Sequence, residues 1–227
     1  MILHSDSNQS NWVVIVAAGQ GSRMGGDLPK QFMQLGGQEI LRYSVNAFQQ
    51  HVAIHGIIIV TSDQFLNHVK NAYPACEVVP GGVTRQDSSA KGVAACPDDA
   101  TKILVHDAAR PFLSQQIINE CLAALDEYEA AAPVLPLRDT IVMSVDTAWQ
   151  QLDRQTLRAM QTPEGFQAET LRAAHRSGVV GTDEIGLVLT SNPEAQVHLF
   201  EGSPDNFKIT TSLDLELAAI VAARYRS

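Results

Sequence analysis

Short apolar runs alternate with segments in which apolar residues recur every three or four positions over much of the chain. The run at residues 13–17, Val-Val-Ile-Val-Ala, is mostly β-branched and predicts a buried strand. Strands that alternate with helices predict a parallel, doubly wound sheet. The predicted strands are 13–17, 56–61, 77–79, 102–106 and 130–137, and the predicted helices are 38–50, one through Phe65, Leu66 and Val69, one from Thr84 to about 95, and one that begins after Ser114.

Residues 138–161 interrupt this alternation. Polar and apolar residues alternate over 140–145 and again near 151–160, which predicts a β-hairpin excursion rather than another strand–helix–strand unit. We therefore expect one domain over residues 1–227 with a β-arm at about 138–161. Beyond the arm, the pattern predicts helices at 168–177, 183–189 and 213–225 and strands at 196–200 and 207–209.

Charge and composition exclude several classes of protein. The formal net charge is −9 and the basic residues form no cluster, which argues against binding to nucleic acid or to an acidic membrane. Residues 1–11 are polar, and no apolar run approaches the length that spans a membrane, so we expect a soluble cytoplasmic protein. The three cysteines are widely spaced and indicate neither a disulfide framework nor a zinc site.

The glycine-rich stretch that follows the first strand is the main candidate for a binding site. It contains Gly19, Gly21 and the cations Arg23 and Lys30. Glycines let the backbone approach a ligand and aim N–H groups at it, and the cations supply the charge that a polyphosphate needs. A plain turn with solvated cations is the alternative. A dinucleotide fingerprint would place a third glycine where Met24 stands, and no Gly-Lys-Ser/Thr triplet of a Walker motif follows.

Further polar residues fall at the ends of other predicted strands. In an open parallel sheet, ligands bind beyond the carboxyl ends of the strands, where Gly81-Gly82 and His106-Asp107 are expected. Asp107 could cap a helix, but a carboxylate that faces a triphosphate needs a metal, so we favour magnesium. We expect His106 to pack beside the site rather than act as a base. Lys208 is either solvated or turned towards an anion.

Together these motifs resemble the 2-C-methyl-D-erythritol 4-phosphate cytidylyltransferase family of the non-mevalonate isoprenoid pathway. The resemblance extends from about Trp12 to Tyr225. The matching motifs are Ala17-Ala18-Gly19-x-Gly21-x-Arg23-Met24, Leu28-Pro29-Lys30-Gln31, Gly81-Gly82-x-x-Arg85-x-Asp87-Ser88, Val105-His106-Asp107-Ala108-Ala109-Arg110-Pro111, Arg138-Asp139-Thr140, Asp153-Arg154, Gln161-Thr162-Pro163, Thr182-Asp183-Glu184 and Asp205-Asn206-x-Lys208.

The resemblance implies a Rossmann-like nucleotidyltransferase domain, with helices on both faces of a mostly parallel sheet. It would join methylerythritol phosphate to CTP and release diphosphate. Arg23 and Lys30 match the family's catalytic cations, and Asp107 would hold Mg²⁺ against the triphosphate. The positions that match contacts to cytidine and ribose are Ala17, Ala18, Gly19, Gly82 and Ser88.

The acceptor side is implied in the same way. Arg110, Thr162, Thr182 and Lys208 match residues that line the methylerythritol phosphate pocket, and Lys208 is expected to meet its phosphate. Thr140 and Arg154 lie on the arm, which in the family crosses to a second subunit. The resemblance therefore implies a homodimer whose arms complete each other's sites.

Other functions remain open at this point. A ribitol-5-phosphate cytidylyltransferase shares the fold and most of the CTP site, and a non-catalytic nucleotide-binding module or an NAD-dependent oxidoreductase could use a related fold. The chain also departs from the family pattern at Glu164, where glutamine is common, at Ser89, where an apolar residue is usual, and at Ile185-Gly186. We expect these departures to affect local packing and to leave the charged groups in place.

Overall fold

The computed structural model describes residues 9–19 and 28–224. Its strands are β1 (Asn11–Ala17), β2 (Gln34–Leu35), β3 (Gln38–Glu39), β4 (Gly56–Thr61), β5 (Glu77–Pro80), β6 (Lys102–Asp107), β7 (Ala130–Pro136), β8 (Ile141–Val145), β9 (Ala148–Leu152), β10 (Arg158–Met160), β11 (Glu164–Gln167) and β12 (Val197–Glu201). Its helices are α1 (Ile40–Gln49), α2 (Leu66–Ala72), α3 (Arg85–Ala95), α4 (Gln115–Ala124), α5 (Ala168–Arg176), α6 (Glu184–Ser191) and α7 (Ser212–Arg224).

The described strands form a central sheet in the order β5-β4-β1-β6-β11-β7-β10, with β12 also paired to β7. The pairs of β1 with β4 and β6, of β4 with β5 and of β7 with β12 are parallel. The strands β10 and β11 are antiparallel to their neighbours. The predicted mostly parallel sheet is confirmed. The sequence pattern did not predict β11, which is inserted between β6 and β7.

Helices cover both faces of the sheet. Successive side chains of a strand point to opposite faces, so each buried strand contributes to the core on both sides. Val13 and Ile15 pack in the cluster that includes residues of α1 and α4, whereas Val14 packs with residues of α3, α5 and α6. Helix α3 approaches the sheet closely at Gly92, where an added Cβ would lie 2.3 Å from Val14 Cγ1. The residues of β1 are thus buried from both sides.

Helices α3 and α4 begin at side-chain caps. At α3, the Thr84 hydroxyl accepts from the Asp87 N–H and the Asp87 carboxylate accepts from the Thr84 N–H, each at 3.0 Å. This reciprocal pair satisfies two backbone donors that the first turn leaves open. At α4, Ser114 Oγ accepts from the Ile117 N–H at 3.3 Å. Both caps fix where a helix begins beside the carboxyl edge of the sheet.

Two predicted β elements differ from the structure. The strands β8 and β9 pair with each other in a separate two-stranded sheet, but residues 158–160 form β10 and return to the central sheet beside β7. Residues 207–209 form no strand; the Ile209 N–H donates to Ala109 O at 2.9 Å as the chain passes the end of β6.

Within the described ranges, no helix is long and apolar enough to cross a membrane.

Candidate active site

A cavity of about 570 Å³ lies across the carboxyl ends of four parallel strands. We call it the crevice. Its walls come from the residues that follow β1, β4, β5 and β6, from the first turn of α3, and from the segments around Lys30 and Lys208. The predicted site residues that line it are Ala17, Ala18, Gly19, Lys30, Gly82, Ser88, Asp107 and Lys208. Arg23 lies outside the described residues.

The turn after β5 packs so closely that it needs glycine. A Cβ on Gly82 would lie 2.2 Å from Asp87 Cβ, and a Cβ on Gly81 would lie 2.6 Å from Ala18 Cβ. The buried Ser88 hydroxyl accepts from the Gly82 N–H at 3.0 Å and donates to Thr84 O at 2.9 Å. Ser88 therefore fixes this wall of the crevice, and its hydroxyl retains one lone pair for a ligand.

Gln31 anchors the end of β1, a role that the sequence analysis did not assign. Its side chain is 3% exposed, and its Nε2 donates to Ala17 O at 2.6 Å and to Gly19 O at 2.9 Å. The neighbouring Lys30 Nζ donates to Ile209 O at 2.6 Å. The short helical turn that carries both residues therefore ties β1 to the segment that contains Lys208.

Asp107 is the centre of charge in the crevice. Its carboxylate lies 2.8 Å from Lys208 Nζ, 3.5 Å from Arg85 Nη2 and 3.6 Å from Arg110 Nε. Burial would raise the pKa of Asp107, but the three cations outweigh it and hold the pKa well below its usual value. The carboxylate is therefore ionised throughout the physiological range.

His106 and Thr162 support Asp107 from within the protein. The His106 Nε2 lies 3.1 Å from Arg110 O, and because a carbonyl only accepts, Nε2 carries the proton and Nδ1 accepts from the Thr162 hydroxyl at 3.0 Å. Thr162 Oγ1 also accepts from the Asp107 N–H at 3.1 Å. Burial lowers the pKa of His106 to about 4, so the imidazole is neutral at pH 7. The expectation that His106 packs beside the site is met by these contacts.

The remaining acceptor-side predictions lie outside the crevice lining. Arg110 Nη1 donates to Asn206 O at 2.9 Å, and Thr162 is buried as described. Thr182 is exposed and donates to Asp183 Oδ2 at 3.0 Å. Thr140 and Arg154 line a separate cavity of about 270 Å³ on the β8–β9 hairpin, which shares no lining residue with the crevice. One described chain therefore does not bring Thr140 or Arg154 to the crevice.

Arg85 is a crevice residue to which the sequence analysis gave no role. It is the first residue of α3, and its guanidinium contacts Glu184 on α6, Glu164 on β11 and Asp107. Burial lowers the pKa of Arg85, but these carboxylates outweigh it and raise the pKa above its usual value. The one signal in the sequence that could have indicated this role is the position of Arg85, three residues after the Gly81-Gly82 turn.

Glu164 places a buried carboxyl group next to the crevice, so its effect goes beyond the change of local packing that the sequence predicts. It is 2% exposed, and its Oε2 accepts from the Ile185 N–H at 2.7 Å. Burial, followed by the nearby Glu184 carboxylate, raises the pKa of Glu164 well above its usual value, although Arg85 and the Ile185 N–H oppose the shift. Residue 164 therefore carries an ionisable group where a glutamine would carry none.

A magnesium ion fits this donor set only with help from a substrate. The described residues contain no group of three or more His, Cys, Asp or Glu side chains that could hold a metal. Mg²⁺ commonly takes one or two carboxylates together with substrate phosphates and water. Asp107 supplies one such carboxylate on the crevice wall, so phosphate oxygens of a bound nucleotide would have to complete the coordination.

These features define the class of the protein. A mostly parallel α/β sheet carries, at the carboxyl ends of its strands, a glycine turn and several cations, which is the arrangement of a nucleotide-binding domain that handles phosphates. The family follows from comparison: the model of IspD, 2-C-methyl-D-erythritol 4-phosphate cytidylyltransferase, matches residues 12–224. The chain belongs to this family.

Relatives of different length match the chain. It is 40% identical to the 2-C-methyl-D-erythritol 4-phosphate cytidylyltransferase of Nocardia farcinica, with 97% of each chain covered. It is 35% identical to a Haemophilus influenzae protein named bifunctional ribulose 5-phosphate reductase/CDP-ribitol pyrophosphorylase Bcs1, over 93% of this chain and 48% of that protein. The chain thus spans about half the length of that bifunctional relative.

Solved structures agree with the fold. The 2-C-methyl-D-erythritol 4-phosphate cytidylyltransferase of Thermus thermophilus superposes with a TM-score of 0.75 at 32% identity, covering 92% of this chain and 98% of that chain. The 4-diphosphocytidyl-2C-methyl-D-erythritol synthase of Anaerococcus prevotii gives a TM-score of 0.86 at 23% identity, covering 96% and 97%. The second likeness concerns the fold alone.

The pH dependence of stability tests the environment of Glu164. Because its folded pKa is raised, its contribution to stability is fully present below the unfolded pKa of about 4.3 and is lost as pH rises through the folded pKa. We expect Glu164→Gln to become progressively more stable than the wild type over that window, by about 1.4 kcal/mol per pH unit at most. Urea unfolding at a series of pH values measures the difference, with the exposed Glu194→Gln as control. A difference that does not change with pH would contradict the assignment.

Proposed function

We propose that this protein is a cytidylyltransferase that joins 2-C-methyl-D-erythritol 4-phosphate to CTP and releases diphosphate. The observation that carries the proposal is the convergence of Lys30, Lys208 and Asp107 on one crevice beside the glycine turn of a chain in this family. A reaction that brings a triphosphate and a phosphate monoester together needs cations on both anions. The crevice offers them at the edge of the sheet where ligands of such folds bind.

The reaction requires that the substrates are positioned and that their negative charge is neutralised; it does not require a general base. An oxygen of the acceptor phosphate forms a bond to the α-phosphorus of CTP, and the bond from that phosphorus to the bridging oxygen breaks, so that diphosphate leaves with the electron pair. The attacking phosphate is already an anion and needs no deprotonation. The neutral, buried His106 is consistent with this scheme.

The predicted roles divide the crevice in two. We propose that Ala17, Ala18, Gly19, Gly82 and Ser88 bind the nucleoside of CTP, and that Lys30 and Arg23 neutralise charge that develops at the α-phosphorus. Asp107 would hold Mg²⁺, which when bound shields the phosphates from one another. Lys208, with Arg110, Thr162 and Thr182, is assigned to the acceptor side, where Lys208 and Arg110 are already drawn together by Asp107.

A homodimer would place residues of the β8–β9 hairpin at the site of the second copy of the chain. The β8–β9 hairpin exposes apolar side chains to solvent: Trp149 is 73% exposed and Val142 is 51% exposed. Exposed apolar surface of this kind marks interaction sites. We propose that the hairpin is an arm that crosses to a second copy of the chain, where Thr140 and Arg154 complete the neighbouring acceptor site.

A substrate panel tests the proposed reaction. We expect CTP-dependent diphosphate release with 2-C-methyl-D-erythritol 4-phosphate to exceed that with ribitol 5-phosphate by at least about tenfold in kcat/KM, because an acceptor site built for one polyol leaves polar groups unpaired with another. The resemblance to the Haemophilus influenzae relative makes ribitol 5-phosphate the second candidate. The reverse preference would replace the proposed acceptor, and absence of turnover with either would favour a non-catalytic nucleotide-binding module.

Substitution of Lys30 tests its catalytic assignment. We expect Lys30→Ala to lower kcat by about 10²–10³-fold, as for removal of one donor to a developing oxyanion. Lys30 is half-buried and loses one hydrogen bond, from Nζ to Ile209 O, so we expect only a small fall in the melting temperature. Lys70→Ala, at an exposed position of α2, is the matched control. Diphosphate release at saturating substrates is the measurement, and a rate near that of wild type would remove Lys30 from the chemistry.

Mixing two variants tests the arm. We expect Arg154→Ala to raise the KM for the acceptor more than the KM for CTP. If the arm acts across subunits, a heterodimer of Lys30→Ala and Arg154→Ala chains contains one intact site. Random re-association of equal amounts should then restore about a quarter of wild-type activity at low acceptor concentration, since half of the dimers are mixed and each has one intact site of two. Activity equal to the mean of the separate variants would show that Arg154 does not act in the neighbouring site.

A further inference from the structure

The Arg85 guanidinium connects Asp107, which lines the crevice, to the start of α6. Its Nη1 donates to the two carboxylate oxygens of Glu184 at 3.0 and 2.8 Å. Its Nη2 lies 3.5 Å from Asp107 Oδ1 and 3.8 Å from Glu164 Oε1. One side chain at the start of α3 thus connects β6, β11 and α6.

Two buried carboxylates determine where this guanidinium lies. Glu184 is 1% exposed and Glu164 is 2% exposed, and an ionised carboxylate at such depth is costly unless it has a partner. The guanidinium is planar, and its donors form a rigid fork. Both oxygens of Glu184 hold Nη1, and in this position of the guanidinium Nη2 faces Asp107 Oδ1 across 3.5 Å.

The neighbouring Gln86 strengthens the link to the segment before α6. Its Nε2 donates to Val179 O at 2.8 Å, and its Oε1 accepts from the Gly181 N–H at 3.1 Å. With the pair between Arg85 and Glu184, these bonds attach residues 179–184 to the first turn of α3. Thr182, assigned to the acceptor side, lies within this attached segment.

We propose that Arg85 is a positioning residue of the transfer reaction, which fixes Asp107 and the segment around Thr182 relative to each other. This inference rests on the proposed function. Asp107 lies on the nucleotide side of the site and Thr182 on the acceptor side. In-line attack depends on how these two sides are aligned, so loss of the link reduces kcat as well as acceptor binding.

The test needs variants that fold without this guanidinium. Arg85→Gln alone leaves Glu164 and Glu184 buried without their cation, which destabilises a protein strongly. The triple variant Arg85→Gln/Glu164→Gln/Glu184→Gln replaces the guanidinium and both carboxyl groups by neutral amides, so that no carboxylate is left buried without its cation. Arg85→Lys keeps a cation between the carboxylates but lacks the fork that reaches Glu184 and Asp107 together. Arg172→Gln is the control, because Arg172 bonds the carbonyls of residues 96–98 outside the crevice.

We expect Arg85→Lys and the triple variant to melt cooperatively, and kcat at saturating CTP and acceptor to fall at least tenfold, with a higher KM for the acceptor. The control should keep wild-type values. A purely structural role would leave kcat at saturation unchanged. A kcat within twofold of wild type in either folded variant overturns the proposal, and Arg85→Lys decides the matter should the triple variant not fold. If the wild type itself turns over no acceptor, the proposed function fails, which is a different result.

Discussion

The site depends on one buried carboxylate that is held ionised among cations. Asp107 lies at the end of β6, 8% exposed, with Lys208, Arg85 and Arg110 around it. Without that anion, three cations in a small volume would repel one another, and the chain segments that carry them come from distant parts of the sequence. Asp107 thus holds three side-chain cations together at one edge of the sheet.

The same carboxylate is fixed through its backbone as well as its side chain. Its N–H is bonded to Thr162, whose hydroxyl also binds the ring of His106. The neutral imidazole then reaches Arg110 O, so the acid, the threonine and the arginine backbone form one connected unit. Thr162 does not line the crevice, but its contacts determine the position of Asp107, which does.

Much of this was predictable from sequence because the signals were local. The apolar runs predicted β1, β4 and β6 closely, and Thr84 and Asp87 indicated the start of α3. Because ligands bind beyond the carboxyl ends of parallel strands, Gly19, Gly82 and Asp107 were expected at one edge of the sheet, where the structure places them. The missed parts depend on distant partners. Arg85 and Glu184 lie 99 residues apart in sequence, so no spacing indicated their pair. Lys208 was expected in a strand, whereas the structure holds it by an ion pair with Asp107 and gives the backbone no strand partner.

The insertion of β11 accounts for the largest difference between pattern and site. Because β11 runs antiparallel to β6, its first residue, Glu164, lies opposite Val105, beside the carboxyl end of β6. A parallel strand would place its final residues there instead. The antiparallel direction therefore delivers Thr162 to the backbone of Asp107 and Glu164 to Arg85, and the following chain leads away from the crevice into α5. With glutamine at residue 164, Arg85 would balance Glu184 and Asp107 alone. The glutamate adds a third carboxyl group around one guanidinium, and burial raises its pKa well above the usual value.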